Sequence, residues 1–168
     1  RIENDMHVSA SMEEAWALLT DIPAIAPCLP GAKLIDQDGD TYEGTMKVKV
    51  GPITVSYQGE ATFTEKDESA QRVVIRANGK ETRGSGNAAA VVTAQLKDEG
   101  DITGVVITTD LTISGKAAQF GRGVLAVIII PMTAHCLVYH NARYYMIAHT
   151  PYSHGANWWN GANRECPH

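Results

Sequence analysis

The sequence predicts an α+β domain in which an antiparallel sheet wraps around a final helix. The chain begins with a predicted strand and a helix that has a good capping sequence. Apolar and polar residues then alternate from Ala32 to Gly115, and a helical segment follows. Consecutive strands joined by short turns form an antiparallel meander, and helices placed before and after such a sheet are typical of the α+β class. The length of 168 residues indicates one domain with a sizeable core.

The N-terminal part of the chain predicts a strand, a helix and a short helical turn. The segment IENDMHVSAS alternates weakly, which is typical of an edge strand. Ser11 and Glu14 have the spacing of a capping box, and apolar residues follow at helical spacing, so a helix begins here. Pro23 is expected to end this helix, because a proline disfavours helical geometry in the residue before it. A second helical turn is expected from Ala24 to Cys28.

The central part of the chain predicts a series of strands with one buried face each. Apolar and polar residues alternate, and a tight turn at Gly51 and Pro52 separates the first two long strands. The turns DES, KETRGSG and DEGD separate further strands, which fit the segments QRVVIRANG, NAAAVVTAQLK and TGVVITTDLTISG.

Small side chains occupy the inward-facing positions of these strands. A curved sheet lined in this way leaves open space unless a helix approaches very closely. Either the final helix fills this space, or the space forms an apolar pocket for a small molecule. The small residues are Gly44, Gly59, Ala61, Ala77, Ala88, Ala90 and Ala94.

The connection DIPAIAPCLPGAKLI, residues 21–35, also favours a pocket. Three prolines and several small apolar residues follow directly after the first helix. Such a stiff, apolar segment would form a rim over one end of a pocket. An ordinary connection between a helix and a strand would show the same residues, so this alternative stays open.

Charge and composition exclude several classes of protein. The formal net charge is −5, whereas a nucleic-acid-binding domain needs a basic face, so no nucleic-acid partner is expected. Three cysteines are too few for a disulfide framework and indicate free thiols in a reducing compartment. No signal segment is expected, and the longest apolar run, at 124–130, is much shorter than the ~20 residues of a membrane-spanning helix.

The sequence shows no arrangement of residues that is typical of catalysis or metal binding. The apolar face has no paired carboxylates for acid–base chemistry, and no G-x-S-x-G nucleophile motif is present. A cluster of histidine and cysteine near the C-terminus lacks the C-x-x-C partner of a zinc site, so no metal site is predicted. A binding module therefore fits the residues better than an enzyme. The cluster consists of His135, Cys136, His140, His149 and His154.

Four ordered blocks of the sequence carry a family resemblance: DIPAIAPCLPGAKLI, GPITVSYQGEATFTEKDE, GKETRGSGNA and ISGKAAQFGRGVLA. Together they closely resemble the CoxG-like family of carbon monoxide dehydrogenase subunits. This family belongs to the helix-grip superfamily, which is also called START-like, SRPBCC or polyketide-cyclase-like. The resemblance implies a curved seven-stranded antiparallel sheet around a long C-terminal helix that begins near Lys116, with two short helices after the first strand.

The resemblance covers about residues 2–126. It implies a helix-grip domain over 1–126 that includes the start of the C-terminal helix. Residues 127–168 would form the remainder of that helix and an irregular tail. After Ala126 the similarity ends, because Pro131 would interrupt the implied helix.

The resemblance implies a non-enzymatic accessory protein of a molybdenum-containing carbon monoxide dehydrogenase. Family members are cytoplasmic and are implicated in attaching the enzyme to the membrane, so this chain is expected at the inner face of the cell membrane as a peripheral protein. We expect a respiratory quinone as its hydrophobic ligand, because CO oxidation releases electrons that must reach the respiratory chain. No covalently bound cofactor is expected.

Three alternatives stay open, namely a small-molecule cyclase or lyase of the same superfamily, a generic lipid-binding protein, and an adaptor with a filled core. An enzyme would need a polar residue with a perturbed pKa deep in the pocket. The family supplies no catalytic residues to carry over. The predicted cavity and rim residues are Leu19, Ile22, Ile25, Leu29, Met46, Tyr57, Phe63, Ala90, Phe120 and Val124.

Overall fold

The computed structural model describes residues 1–29 and 31–120, and for Cys28, Val50 and Phe120 it describes only the backbone. The expected continuation of the C-terminal helix, the proposed boundary at residue 126 and the histidine cluster of the tail lie outside the described residues.

Seven strands form one antiparallel sheet in the order β1-β7-β6-β5-β4-β3-β2, as the α+β prediction and the family resemblance implied. Every pair from β2 to β7 is a hairpin between consecutive strands, whereas β1 pairs with β7 and so joins the two ends of the described chain. The strands are β1 (Ile2–Val8), β2 (Ala32–Asp38), β3 (Thr41–Val50), β4 (Ile53–Asp67), β5 (Arg72–Glu81), β6 (Asn87–Asp98) and β7 (Thr103–Ile113).

The first helix, α1 (Met12–Leu19), begins where the sequence predicts it. The Ser11 hydroxyl accepts a hydrogen bond from the Glu14 amide at 3.2 Å, and the Glu14 carboxylate accepts one from the Ser11 amide at 3.1 Å. This capping box satisfies two backbone donors that the first turn leaves unpaired. At the other end the Thr20 hydroxyl donates to the Trp16 carbonyl oxygen at 2.9 Å.

The prediction that Pro23 ends the first helix is wrong. α1 ends at Leu19, and Pro23 lies in the first turn of a second helix, α2 (Ile22–Ile25). A proline fits there because the first turn of a helix has no partner for its backbone N–H. The Asp21 carboxylate caps this turn by accepting a hydrogen bond from the Ala24 amide at 3.1 Å.

A short 3₁₀ helix, Ala26–Cys28, follows α2 directly and leads into β2. The Ala32 amide donates to the Leu29 carbonyl oxygen at 3.0 Å, and the Lys47 amide of β3 donates to the Gly31 carbonyl oxygen at 2.8 Å. These bonds fix the expected rim segment to the edge of the sheet. A second 3₁₀ helix, Lys116–Phe120, follows β7 at the point where the long helix was expected to begin.

The main core lies under α1, at one end of the inner face of the sheet. Val105 is completely buried there, and the Thr103 hydroxyl donates to the Ala10 carbonyl oxygen at 2.7 Å. Met12, Trp16, Leu18 and Leu19 pack against this core from the helical side. The buried members are Met6, Val8, Ala10, Ala15, Tyr42, Phe63, Val73, Ala94, Leu96, Val105 and Ile107.

A second, smaller cluster lies near the 3₁₀ helix that follows β7. Val55, Tyr57 and Ala117 are its buried members, and Ile53, Ala88 and Ile113 pack against them. Residues of both clusters contribute to the wall of the candidate site.

Candidate ligand-binding site

Rows of small residues cross the sheet between the main core and the second cluster. Gly44 of β3 lies opposite Gly59 of β4, Gly59 lies opposite Gly79 of β5, and Gly79 lies opposite Ala88 of β6. We call these three glycines the glycine row. A parallel row two residues away contains Ala61, Ala77 and Ala90.

Close packing of the backbone explains two members of the glycine row, Gly44 and Gly59. A Cβ atom on Gly59 would lie only 2.6 Å from the Cα atom of Gly79, and one on Gly44 would lie 2.6 Å from the carbonyl oxygen of Lys33. No side chain fits at either position without separating two strands. The inner surface of the sheet is therefore bare backbone at this point.

An open cavity of about 350 Å³ lies on these rows. Its wall is almost entirely apolar, and this size is within the range of small-molecule sites. Inward-facing residues of β3 to β7 contribute most of the wall: Tyr42, Gly44, Met46, Val48, Val55, Tyr57, Gly59, Ala61, Ala77, Gly79, Ala88, Ala90, Leu111 and Ile113. Ile22, Ala26, Ala32, Leu34 and Ala117 close its ends, and Lys33, Glu43, Thr45, Glu60 and Asn78 complete the lining.

Four of the ten predicted site residues line this cavity, namely Ile22, Met46, Tyr57 and Ala90. Six of the seven small inward-facing residues line it as well, and the seventh, Ala94, lies in the main core.

Two further predicted residues, Leu19 and Phe63, belong to the main core instead of the cavity wall. Phe63 shares the inner face of β4 with Tyr57, but it lies at the end of the face that α1 covers. Its ring packs edge-on against Tyr42, with 6.0 Å between the ring centroids. The alternation of a strand therefore identified the face correctly and could not show how far the cavity extends along it.

Ile25 and Leu29 of the rim are half-buried and are not among the described residues that line the cavity. The side chain of Phe120 and all of Val124 lie outside the described part of the chain.

The sequence reasoning missed Leu111 and Ile113 of β7, which line the cavity. The signal was present, because both residues continue the inward alternation of the strand TGVVITTDLTI. Leu34 of β2 was also missed.

Leu34 and its neighbour Ile35 are the large apolar residues that the described part of the chain exposes, at 37% and 55% of their surface. Leu34 contributes to the cavity wall at the same time. A β-bulge between Leu34 and Asp36 displaces Ile35 from the regular pairing of this edge strand. An apolar surface therefore continues from the cavity to the outside at β2.

The two tyrosines of the cavity wall differ in their hydrogen bonds. Both are 7% exposed. The hydroxyl of Tyr42 accepts a hydrogen bond from the Gln37 side chain at 3.3 Å, whereas the buried hydroxyl of Tyr57 has no partner among the described residues. Burial raises the pKa of the Tyr57 phenol, and the carboxylate of Glu81, which lies opposite on β5, adds to the rise.

The described residues offer few further groups for catalysis or metal binding around the cavity. Among residues 1–29 and 31–120, no group of three His, Cys, Asp or Glu side chains has the geometry to hold a metal ion. In the same part of the chain, no helix combines the length and apolar character needed to cross a membrane. The arrangement can therefore hold an apolar molecule, and Tyr57 is the tyrosine of its wall whose hydroxyl has no partner among the described residues.

Solved structures with the same fold include several bacterial proteins. A conserved protein from Geobacillus kaustophilus aligns with a TM-score of 0.69 at 20% identity, over 86% of this chain and 97% of that one. A protein from Thermus thermophilus aligns with a TM-score of 0.60 at 13% identity, over 81% and 93% of the two chains. The ZhuI aromatase/cyclase from Streptomyces sp. R1128 aligns with a TM-score of 0.56 at 13% identity, over 81% and 87%.

These identities are low, so the structural similarity establishes the fold and nothing further. No curated protein matches the chain. The model of the CoxG family of carbon monoxide dehydrogenase subunits matches residues 5–138, which extends the similarity beyond Ala126. Because this match covers well over half of the chain, the protein belongs to the CoxG family of carbon monoxide dehydrogenase subunits.

Proposed function

We propose that the protein is a non-enzymatic accessory protein of a molybdenum-containing carbon monoxide dehydrogenase, and that it binds a respiratory quinone in the cavity and couples the enzyme to the membrane. The apolar cavity of about 350 Å³ on the inner face of the sheet is the observation that carries this proposal. Membership of the CoxG family supports the choice of partner.

The chemistry of the partner favours a quinone over other apolar ligands. Oxidation of CO to CO₂ releases an electron pair and protons, and a quinone takes up an electron pair and protons to become a quinol. Both forms are uncharged and largely apolar, so an apolar wall suits them. Electrons that leave the enzyme on a quinone can enter the respiratory chain of the membrane.

A cyclase or lyase is the second candidate, and the properties of Tyr57 weigh against it. An acid or base in catalysis works best when its pKa lies near the operating pH. Burial and Glu81 move the pKa of Tyr57 upward, away from neutrality. The phenol therefore stays protonated and suits a hydrogen bond to a ligand better than proton transfer.

The apolar surface at β2 supports peripheral contact with the membrane. Leu34 borders the cavity, and both Leu34 and Ile35 are exposed. Transferring large apolar side chains from water into the bilayer interface is favourable by ~1.5–3 kcal/mol each when burial is complete. An opening at this edge would let a quinone pass between bilayer and cavity without crossing water.

The decisive experiment asks whether a quinone occupies the cavity. The full chain is purified from quinone-producing cells without detergent, and native mass spectrometry and solvent extraction identify any bound quinone. Ala90→Trp places a large ring in the cavity wall, whereas Ala89→Trp places the same ring on the exposed outer face of the same strand. We expect quinone with the wild type and with Ala89→Trp, and little or none with Ala90→Trp.

Equal amounts of quinone in both tryptophan variants would place the ligand elsewhere and contradict the proposal. Absence of quinone from the wild type, together with no uptake of added quinone, would contradict it as well. Overpacking of an already filled core would instead cost Ala90→Trp ~1–3 kcal/mol of stability without any change in ligand content.

A further inference from the structure

We infer that the Tyr57 hydroxyl donates a hydrogen bond to a neutral oxygen on a planar ring of the ligand, and that this ring lies on the glycine row. The inference rests on the proposed function and adds to it the position of the polar head group. It also narrows the ligand class to ring compounds with a carbonyl or hydroxyl oxygen, and it makes fatty acids disfavoured ligands.

Tyr57 carries a buried hydroxyl that has no hydrogen-bond partner in the described part of the chain. Among the described residues, four buried side-chain atoms lack a partner, and they belong to Asn4, Tyr57, Gln71 and Thr109. Of these four residues, Tyr57 is the one that lines the cavity. A buried polar group without a partner is destabilising, so a ligand that offers an acceptor gains more from this hydroxyl than from one that is already paired.

The wall beside the Tyr57 ring consists of glycine backbone. Gly59 follows two residues later on the same face, and Gly79 lies on the neighbouring strand, where an added Cβ would be 3.4 Å from the Cβ of Tyr57. Neither glycine contributes a side chain that would cover the backbone at these positions. The flat surface accepts a planar ring. Protein atoms now cover the Tyr57 hydroxyl, so the ring has to turn toward the glycine row when the ligand binds.

An acidic residue is the cross-strand neighbour of Tyr57. Glu81 lies directly opposite Tyr57, and its carboxylate accepts a hydrogen bond from the Gly86 amide at 3.3 Å. A carboxylate at this position repels an anionic head group. The raised pKa keeps the Tyr57 phenol a neutral donor over the physiological range. The site therefore suits a neutral carbonyl oxygen and disfavours a fatty acid.

The test compares two probes of nearly the same shape, dimethylnaphthoquinone and dimethylnaphthalene. The quinone carries both methyl groups on its quinone ring, so it cannot add to cysteine thiols, and the hydrocarbon lacks the carbonyl oxygens. Affinities of the full chain for both probes are measured by calorimetry. Tyr57→Phe removes the proposed donor, and Thr109→Val is the matched control, because it removes a buried hydroxyl that also has no partner among the described residues but is not part of the cavity lining.

We expect Tyr57→Phe to weaken binding of the quinone about tenfold, as loss of one buried hydrogen bond does, and to change binding of the hydrocarbon less than about twofold. Thr109→Val should leave both affinities within about twofold of the wild type.

If Tyr57→Phe lost the same affinity for both probes, the loss would be a packing effect and the inference would be wrong. The inference would also be wrong if the variant kept its affinity for the quinone. In both cases the proposed quinone-binding function would stand. A wild type that binds neither probe would overturn the proposed function together with the inference. Tighter binding of palmitate than of the quinone would also overturn it, because Glu81 should repel the fatty acid.

Discussion

Gly59 and Gly79 face each other in the glycine row, yet alanine should lower the free energy of unfolding at Gly59 and not at Gly79. A Cβ on Gly59 would lie 2.6 Å from the Cα of Gly79 and 2.8 Å from the carbonyl carbon of Asn78. Both contacts are with backbone, so β4 and β5 must move apart. Overpacking costs ~1–3 kcal/mol, and the smaller freedom of alanine in the unfolded chain returns ~0.4–1 kcal/mol. We expect Gly59→Ala to lower the free energy of unfolding by about 1.3 kcal/mol.

Gly79→Ala meets only ordinary contacts, at 3.4 Å to the Cβ of Tyr57 and 3.6 Å to the carbonyl oxygen of Gln58. The free energy of unfolding should therefore stay the same or rise by up to ~1 kcal/mol, through the unfolded chain alone. The new methyl group lies on the cavity floor, so binding of dimethylnaphthoquinone should weaken.

Urea unfolding followed by circular dichroism measures both free energies, and calorimetry measures the binding. An equal loss of stability in Gly59→Ala and Gly79→Ala would refute the geometry on which this reasoning depends. A destabilised Gly79→Ala variant with normal binding would do the same.

Two further predictions concern the first helix and the edge strand β2. Ser11→Ala removes the hydroxyl of the capping box and should lower the free energy of unfolding by about 1 kcal/mol in urea titrations; an unchanged midpoint would show that the cap adds nothing. Leu34→Glu combined with Ile35→Glu should abolish sedimentation with lipid vesicles and keep the circular dichroism spectrum, whereas Ala89→Glu on the outer face should bind vesicles like the wild type. Salt should have little effect on vesicle binding by the wild type, and retention of binding by the double variant would rule out membrane contact at β2.

The sheet and its cavity were largely predictable because strand periodicity is a local property. Alternation in β3, β4 and β6 placed Met46, Tyr57 and Ala90 on one face without any knowledge of what covers it. The capping box of Ser11 and Glu14 likewise depends on residues three positions apart. Features of this kind can be predicted without knowing which distant segments of the chain are in contact.

The limits of the cavity depend on contacts between distant segments, and these were not predictable. Phe63 and Tyr57 satisfy the same alternation, and only the position of α1 over one end of the sheet separates a core residue from a cavity residue. The exposure of Ile35 similarly depends on a bulge in the pairing of β2 with β3. As a result, the sequence favoured Ile25 and Leu29 as rim residues of the cavity, whereas in the structure Leu34 contributes to the cavity wall and Leu34 and Ile35 are exposed.

The pairing of β1 with β7 also determines when this chain can finish folding. Ile2 lies opposite Thr109, so this pair of strands closes a loop of roughly 100 residues, at an entropic cost of about 4 kcal/mol. The hairpins from β2 to β7 close much shorter loops and can form earlier. During synthesis on the ribosome, Met6 and Val8 must wait for Val105 and Thr103 to emerge. These two apolar residues of β1 therefore remain exposed to solvent until nearly all of the sheet has been synthesised. A chaperone can bind them during that interval.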